Sequence, residues 1–146
     1  MRKLITLMLG LALVAPAQVK KKIIVPSGGT SGPNFPPGLL VGDTLYVSAF
    51  IGFDSKTNQI PASFEEEMTN AIQHARDVLK AGGMDLEDVV SAQVYLTDMK
   101  LFDRMNKVYL QHFKTDPRPT RTTVQVSSLA DAGRGAHVTL TVTARK

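Results

Sequence analysis

A segment with helical periodicity lies between two groups of strand-like segments, and this order constrains the fold more than any other feature of the chain. Ser63 and Glu66 predict a capping box at the start of the helix, and Gly82-Gly83 predicts its end. Its apolar stripe consists of Phe64, Met68, Ala71, Ile72, Ala75 and Leu79. Because only one face is apolar, we expect this helix to pack against a sheet.

Strand patterns precede and follow this helix. The strand-like segments are residues 22–25, 39–41, 44–51, 89–97, 122–126 and 137–143. Gly42-Asp43 predicts a hairpin turn, and a second helical pattern covers residues 98–113. The resulting order is β-β-β-α-β-α-β-β. Because the strands come in runs, this order predicts the α+β class, with two helices on one face of a sheet.

The sheet face away from the helices needs a cover if it is apolar. Val47, Val124 and Val142 suggest that it is. Oligomerisation is then the expected way to bury it.

The first 17 residues have the three-part pattern of a secretory signal peptide. Met1-Arg2-Lys3 is basic, residues 4–14 are almost purely apolar, and Ala15-Pro16-Ala17 forms a small-residue cleavage site. The apolar run is shorter than the roughly 20 residues of a membrane-spanning helix. An uncleaved anchor or a buried N-terminal helix is the alternative. We expect cleavage, a secreted or periplasmic protein without stable membrane association, and one domain over residues 18–146.

Composition excludes several kinds of chemistry. The chain has no cysteine, which excludes disulfides, cysteine-ligated metals and a thiol nucleophile. Its net charge of +4 falls to +2 when Arg2 and Lys3 leave with the signal peptide. The basic residues form no stripe with interleaved aromatic residues. We therefore expect no nucleic-acid partner.

Two polar features of the first helix have simple structural interpretations. His74 lies among polar positions and is expected to be solvated, and the three histidines lack the spacing of a metal site. Glu65, Glu66 and Glu67 could act as paired carboxylates, but an acidic first turn favours the start of a helix. We expect neither a metal nor carboxylate chemistry from these residues.

Arg121 is the residue that suggests a site. It follows Pro119-Thr120 and opens a strand whose next residues, Thr122 and Thr123, carry hydroxyl groups. A guanidinium at a strand end can hold a carboxylate through two parallel hydrogen bonds, which suits a small organic acid. The alternative interpretation is a surface salt bridge.

A set of short motifs covers roughly residues 23–145. They are residues 41–48, 79–83, 88–90, 94–99, Phe102, residues 106–109, Phe113 and residues 119–126. Together they resemble the RidA/YjgF family of reactive enamine/imine deaminases, which also includes endoribonuclease L-PSP-like proteins. The resemblance implies a chorismate-mutase-like fold, a homotrimer, and ligand sites between subunits. It also implies hydrolysis of imines to 2-keto acids and ammonia, with a small carboxylate as the ligand and no cofactor.

The resemblance also implies roles for particular residues. Arg121 matches the arginine that binds the substrate carboxylate, and it would be catalytic because its charge polarises the conjugated imine. The family's tyrosine aligns with Phe35, its cysteine with Thr123, its water-positioning glutamate with Thr139, and the serine of its Ser-Gly-Gln element with Ser48. These five residues are the implied substrate-binding set.

The changes at the tyrosine and glutamate positions leave three functions open. A threonine at position 139 cannot serve as a carboxylate base at neutral pH. The chain could be an enamine/imine deaminase, a non-catalytic exported trimer that binds small carboxylates, or a ribonuclease. Since the chain has no basic stripe, the ribonuclease is the least favoured.

Overall fold

Six strands form one sheet, and two helices pack on it. The computed structural model describes residues 19–32, 34–131 and 133–146. The elements are β1 (Lys21–Ile24), β2 (Gly38–Val41), β3 (Thr44–Ile51), α1 (Phe64–Ala81), β4 (Val89–Leu96), α2 (Phe102–His112), β5 (Thr120–Gln125) and β6 (Val138–Arg145). This order confirms the predicted α+β class. The predicted signal peptide, residues 1–17, lies outside the described residues and stays a prediction.

The sheet has the strand order β1-β2-β3-β6-β4-β5. Neighbouring strands are antiparallel except for β4 and β5, which are parallel. A parallel pair needs a long crossover, and α2 provides it. Strand β5, which carries Arg121, is therefore at one edge of the sheet. Within the described ranges, no helix is both long and apolar enough to cross a membrane.

The ends of α1 agree with the sequence prediction, and its cap differs in one detail. The Ser63 hydroxyl accepts a hydrogen bond from the Glu66 backbone N–H at 3.4 Å. The same hydroxyl donates to the Glu65 carboxylate at 3.2 Å. At the other end, the Gly82 N–H bonds the carbonyl groups of the last turn. The carboxylate that assists the cap therefore belongs to Glu65 and not to Glu66.

The helices cover one face of the sheet, and alternate strand residues form the core beneath them. The prediction that Val47 and Val142 cover the open face was wrong. They are 4% and 2% exposed, because they share a face with Leu45 and Leu140. Val124 is 39% exposed and does lie on the open face. That face is mainly polar, since its other residues include Thr120, Thr122, Thr139, Thr141 and Thr143.

Helix α1 packs directly against the backbone of Gly52, the residue after β3. A Cβ atom at this position would lie 1.7 Å from the Glu67 backbone oxygen. The backbone of the helix cannot move away without unpacking its buried face. Only glycine therefore fits between β3 and α1.

We expect Gly52→Ala to destabilise the fold by at least about 3 kcal/mol, because the clash is with backbone. Urea denaturation would measure the loss of unfolding free energy. Gly32→Ala is the matched control, since a Cβ atom there meets nothing within 4 Å. Its effect should stay within about 1 kcal/mol. Equal stability of the two variants would contradict this account of the helix–sheet contact.

Candidate functional site

Arg121 lies on the helix-facing side of edge strand β5, opposite Ala92 of β4. Its guanidinium carbon is 4.5 Å from the centre of the Tyr109 ring and 5.9 Å from that of Phe102. These are cation–π contacts, and they hold the side chain against α2. In the part of the chain that the structure describes, Arg121 forms no salt bridge. The guanidinium therefore remains available to an anionic ligand.

Tyr109 gives the guanidinium a rigid support. The ring is 2% exposed and stacks on Phe113, with 4.3 Å between the ring centres. Burial raises the pKa of the Tyr109 hydroxyl, and the positive charge of Arg121 opposes this shift. The hydroxyl is therefore neutral near pH 7. Both aromatic neighbours of Arg121 come from α2, and neither was in the predicted site.

Thr123 lies on the same face of β5 as Arg121, opposite Val94. Its hydroxyl oxygen is buried, and it has no hydrogen-bond partner among the described residues. An unsatisfied hydroxyl of this kind costs about 1–3 kcal/mol unless a ligand or water satisfies it. Thr123 lines an open cavity of about 530 Å³ with Met99, Lys100, Phe102 and Asp103. We call this cavity, together with Arg121 and Tyr109, the arginine pocket.

Ser48 holds the segment that carries Phe35. Its hydroxyl donates to the Pro36 carbonyl at 2.7 Å, and its backbone N–H donates to the Pro37 carbonyl at 2.9 Å. Phe35 itself is 84% exposed. These contacts present an aromatic ring to solvent beside β3.

Thr139 lies on the open face of the sheet, paired with Ile51 on one side and Tyr95 on the other. It lines a cavity of about 280 Å³ whose wall also includes Phe53 and Arg134. Thr139 and the Ser48 segment are thus both on the β3–β6 side of the molecule. We call Phe35, Ser48 and Thr139 the serine side.

One chain does not bring the arginine pocket and the serine side together. Strands β6 and β4 lie between β3 and β5, so Ser48 and Arg121 are three strand spacings apart, which is about 14 Å. The two groups also lie on opposite faces, because Arg121 faces the helices and Thr139 faces away from them. A small ligand on Arg121 therefore cannot reach the serine side of the same chain.

His74 is held in the structure and is not simply solvated, so that prediction was wrong. Its Nδ1 atom lies 3.1 Å from the Ile51 carbonyl oxygen, and its Nε2 atom lies 3.2 Å from the Ser55 hydroxyl. Phe53 packs on the ring, with 4.4 Å between the ring centres. The polar periodicity of α1 could not predict the β3–α1 loop that covers it. Across the described ranges, no cluster of histidine and acidic side chains could hold a metal ion.

The structure also gives Glu67 a role that the sequence analysis did not predict, beyond that of an acidic residue in the first turn of α1. Its side chain is 0% exposed, and it accepts hydrogen bonds from the backbone N–H groups of His137 at 2.6 Å and Val138 at 3.1 Å. The His137 Nδ1 atom lies 2.9 Å from the second carboxylate oxygen. A signal was present in the sequence, since Glu67 lies on the apolar stripe between Phe64 and Met68. The carboxylate fixes the start of β6, two residues before Thr139.

Replacing Glu67 tests whether its carboxylate stabilises the fold through the hydrogen bonds to the start of β6. Glu67→Leu removes the acceptor and leaves two buried N–H groups unpaired, so we expect a loss of at least about 3 kcal/mol of unfolding free energy. Glu67→Gln keeps an acceptor oxygen and the same shape, and it should cost about 1 kcal/mol. Thermal or urea denaturation of the two variants gives the comparison. A leucine variant as stable as the glutamine variant would contradict this role of the Glu67 carboxylate.

The geometry can be compared with that of known proteins. A sequence model of the endoribonuclease L-PSP family matches residues 31–145. The chain belongs to this family, also called RidA/YjgF. It is 43% identical to a RutC family protein of Saccharolobus solfataricus over 116 residues, covering 79% of this chain and 88% of the relative. It is also 36% identical to the 2-iminobutanoate/2-iminopropanoate deaminase of Bos taurus over 104 residues, covering 70% and 74%.

Solved structures of RidA/YjgF relatives have the same fold. The crystal structure of E. coli TdcF with bound serine has a TM-score of 0.73 and 27% identity, and the match covers 86% of this chain and 98% of TdcF. The family resemblance and the fold class predicted from the sequence are thereby confirmed.

Proposed function

We propose that this RidA/YjgF protein is an enamine/imine deaminase that hydrolyses reactive imino acids to 2-keto acids and ammonia. The observation that carries the proposal is the guanidinium of Arg121, held over Tyr109 and Phe102 and free of salt bridges within the described residues. Such a group binds a carboxylate through two parallel N–H···O bonds. Relatives named 2-iminobutanoate/2-iminopropanoate deaminase, 35–36% identical to this chain, support the reaction class.

Arg121 has two roles in this reaction. It anchors the substrate carboxylate in the arginine pocket, and its charge draws electrons from the conjugated C=N bond as water adds to the carbon. The aromatic rings beneath it exclude water from one side, which strengthens the electrostatic effect. Thr123 lines the same pocket, and rotation of its unpartnered hydroxyl would supply a further hydrogen-bonding group for the bound acid.

We also propose that the working form is a homotrimer. Phe35, Ser48 and Thr139 are too far from Arg121 in one chain to share a small ligand, and a second copy can supply them. The polar open face, rich in threonine, suits an interface that binds through hydrogen bonds as well as apolar contacts. Export to the periplasm or the exterior, which the first 17 residues predict, stays part of the proposal.

The deaminase proposal is tested by adding the purified protein to a pyridoxal-phosphate dehydratase reaction and measuring ammonia release. We expect acceleration over spontaneous hydrolysis. Arg121→Ala should lower kcat/KM at least about 100-fold, and Arg121→Lys about tenfold, because lysine cannot make the paired contact. Arg145→Ala is the matched control, since Arg145, the last residue of β6, pairs with Asp43 in the β2–β3 turn, outside the arginine pocket. Equal activity of Arg121→Ala and wild type would show that Arg121 does not bind the substrate.

A non-catalytic carboxylate-binding protein is the second candidate. Thr139 favours it, since this position lacks the carboxylate of the family pattern. In that case, titration calorimetry with 2-oxobutanoate should detect binding that Arg121→Ala abolishes, and ammonia release should match the spontaneous rate. Faster ammonia release by the wild type would exclude this candidate. RNA is the least favoured ligand, because the mature chain has a net charge of only +2 after loss of Arg2 and Lys3.

Sedimentation velocity tests the assembly separately. At micromolar concentration we expect a single species of three chains. A monomer under these conditions would contradict the trimer, whatever the activity assay gives. A dimer would also contradict it.

A further inference from the structure

The arginine pocket contains a carboxylate that the family resemblance did not assign. Asp103, in the first turn of α2, lines the cavity of about 530 Å³ together with Lys100 and Thr123. Neither Asp103 nor Lys100 forms a salt bridge with the residues that the structure describes. An acidic first turn favours the helix, but it does not account for the buried, unpartnered hydroxyl of Thr123, a residue that lines the same cavity. The two observations together point to a ligand.

We propose that Asp103 is a catalytic residue of the deaminase reaction, which binds the protonated imine nitrogen and carries protons between it and the attacking water. The inference rests on the proposed function, because it concerns the same site and substrate class. It assigns to α2 the carboxylate that position 139 on β6 lacks.

The positions of the residues support this role. Arg121 packs against Phe102, and Asp103 is the next residue of the helix. In a 2-imino acid, the nitrogen is on the carbon next to the carboxylate. A substrate whose carboxylate binds Arg121 therefore has its nitrogen close to the anchor, and the proposal directs this nitrogen toward the cavity that Asp103 and Thr123 line. The exposure of Asp103 lets it exchange protons with solvent between turnovers.

The charge of the pocket also requires an anion there. An imine is attacked by water in its protonated, iminium form, which carries a positive charge. The bound carboxylate offsets the charge of Arg121, but Lys100 in the cavity wall disfavours a further cation beside it. Asp103 is the carboxylate in the same wall that offsets this repulsion and stabilises the iminium. Without it, Lys100 would favour the less reactive neutral form of the substrate.

Asp103 takes part in both proton transfers of the reaction. Water forms a bond to the iminium carbon, the π electrons of the C=N bond move to nitrogen, and the Asp103 carboxylate takes one proton from the water. Asp103 then returns this proton to the nitrogen. The C–N bond breaks with its electron pair on the nitrogen, the C=O bond forms, and the hydroxyl proton passes to Asp103 and on to the released ammonia. One iminium ion and one water thus give one ketone and one ammonium ion.

The test compares Asp103→Asn and Asp103→Glu in the dehydratase-coupled assay, with Glu87→Gln, an exposed carboxylate outside the pocket, as control. Asp103→Asn should lower kcat at least about 100-fold, which is typical for loss of a general acid–base group, and change KM less than threefold. Asp103→Glu should retain activity within about tenfold of the wild type. Calorimetry with 2-oxobutanoate should give unchanged binding to Asp103→Asn, since Arg121 still anchors the carboxylate.

The outcomes separate the two proposals. An active wild type with an equally active Asp103→Asn overturns the role of Asp103 and leaves the deaminase proposal intact. A raised KM with unchanged kcat shows that Asp103 only assists binding, and this also overturns the role. A wild type without activity overturns both.

Discussion

The packing of two helices on one face of the sheet is the constraint on which the rest of the structure depends. Since strand side chains alternate between faces, the burial of Leu45 and Leu140 beneath the helices determines the face of the remaining side chains wherever the central strands are regular. Because of the same alternation, Arg121 points toward α2 and Thr139 points toward the open face. The division of the site between two faces follows directly from how the core is buried.

Contacts between α1 and the sheet connect this packing to the site. Gly52 allows the helix backbone to approach β3, and Glu67 bonds the backbone at the start of β6. A buried carboxylate is stable only when donors surround it, and the His137 and Val138 N–H groups supply them. The helix that forms the core therefore also fixes the strand that carries Thr139. Stability and site geometry depend on the same few contacts.

Part of the candidate site could be predicted from the sequence, for reasons that differ between residues. Arg121 and Thr123 were predicted together because they belong to one continuous motif. Tyr109 and Phe102 belong to recognised motifs too, but their place beside Arg121 depends on how α2 crosses β5. His74 was misinterpreted because its partners, Ile51 and Ser55, are distant in sequence.

The sequence by itself determined the elements, their order and the family, because periodicity, caps and turn residues are local properties of the chain. Only the tertiary structure decided which face each strand residue occupies. Val47 and Val142 lie in the core and Glu67 is buried, since burial depends on strand register and helix placement. The sheet topology also places two strands between Arg121 and Ser48. Distances between elements depend on how the elements pack, and local sequence patterns do not predict them.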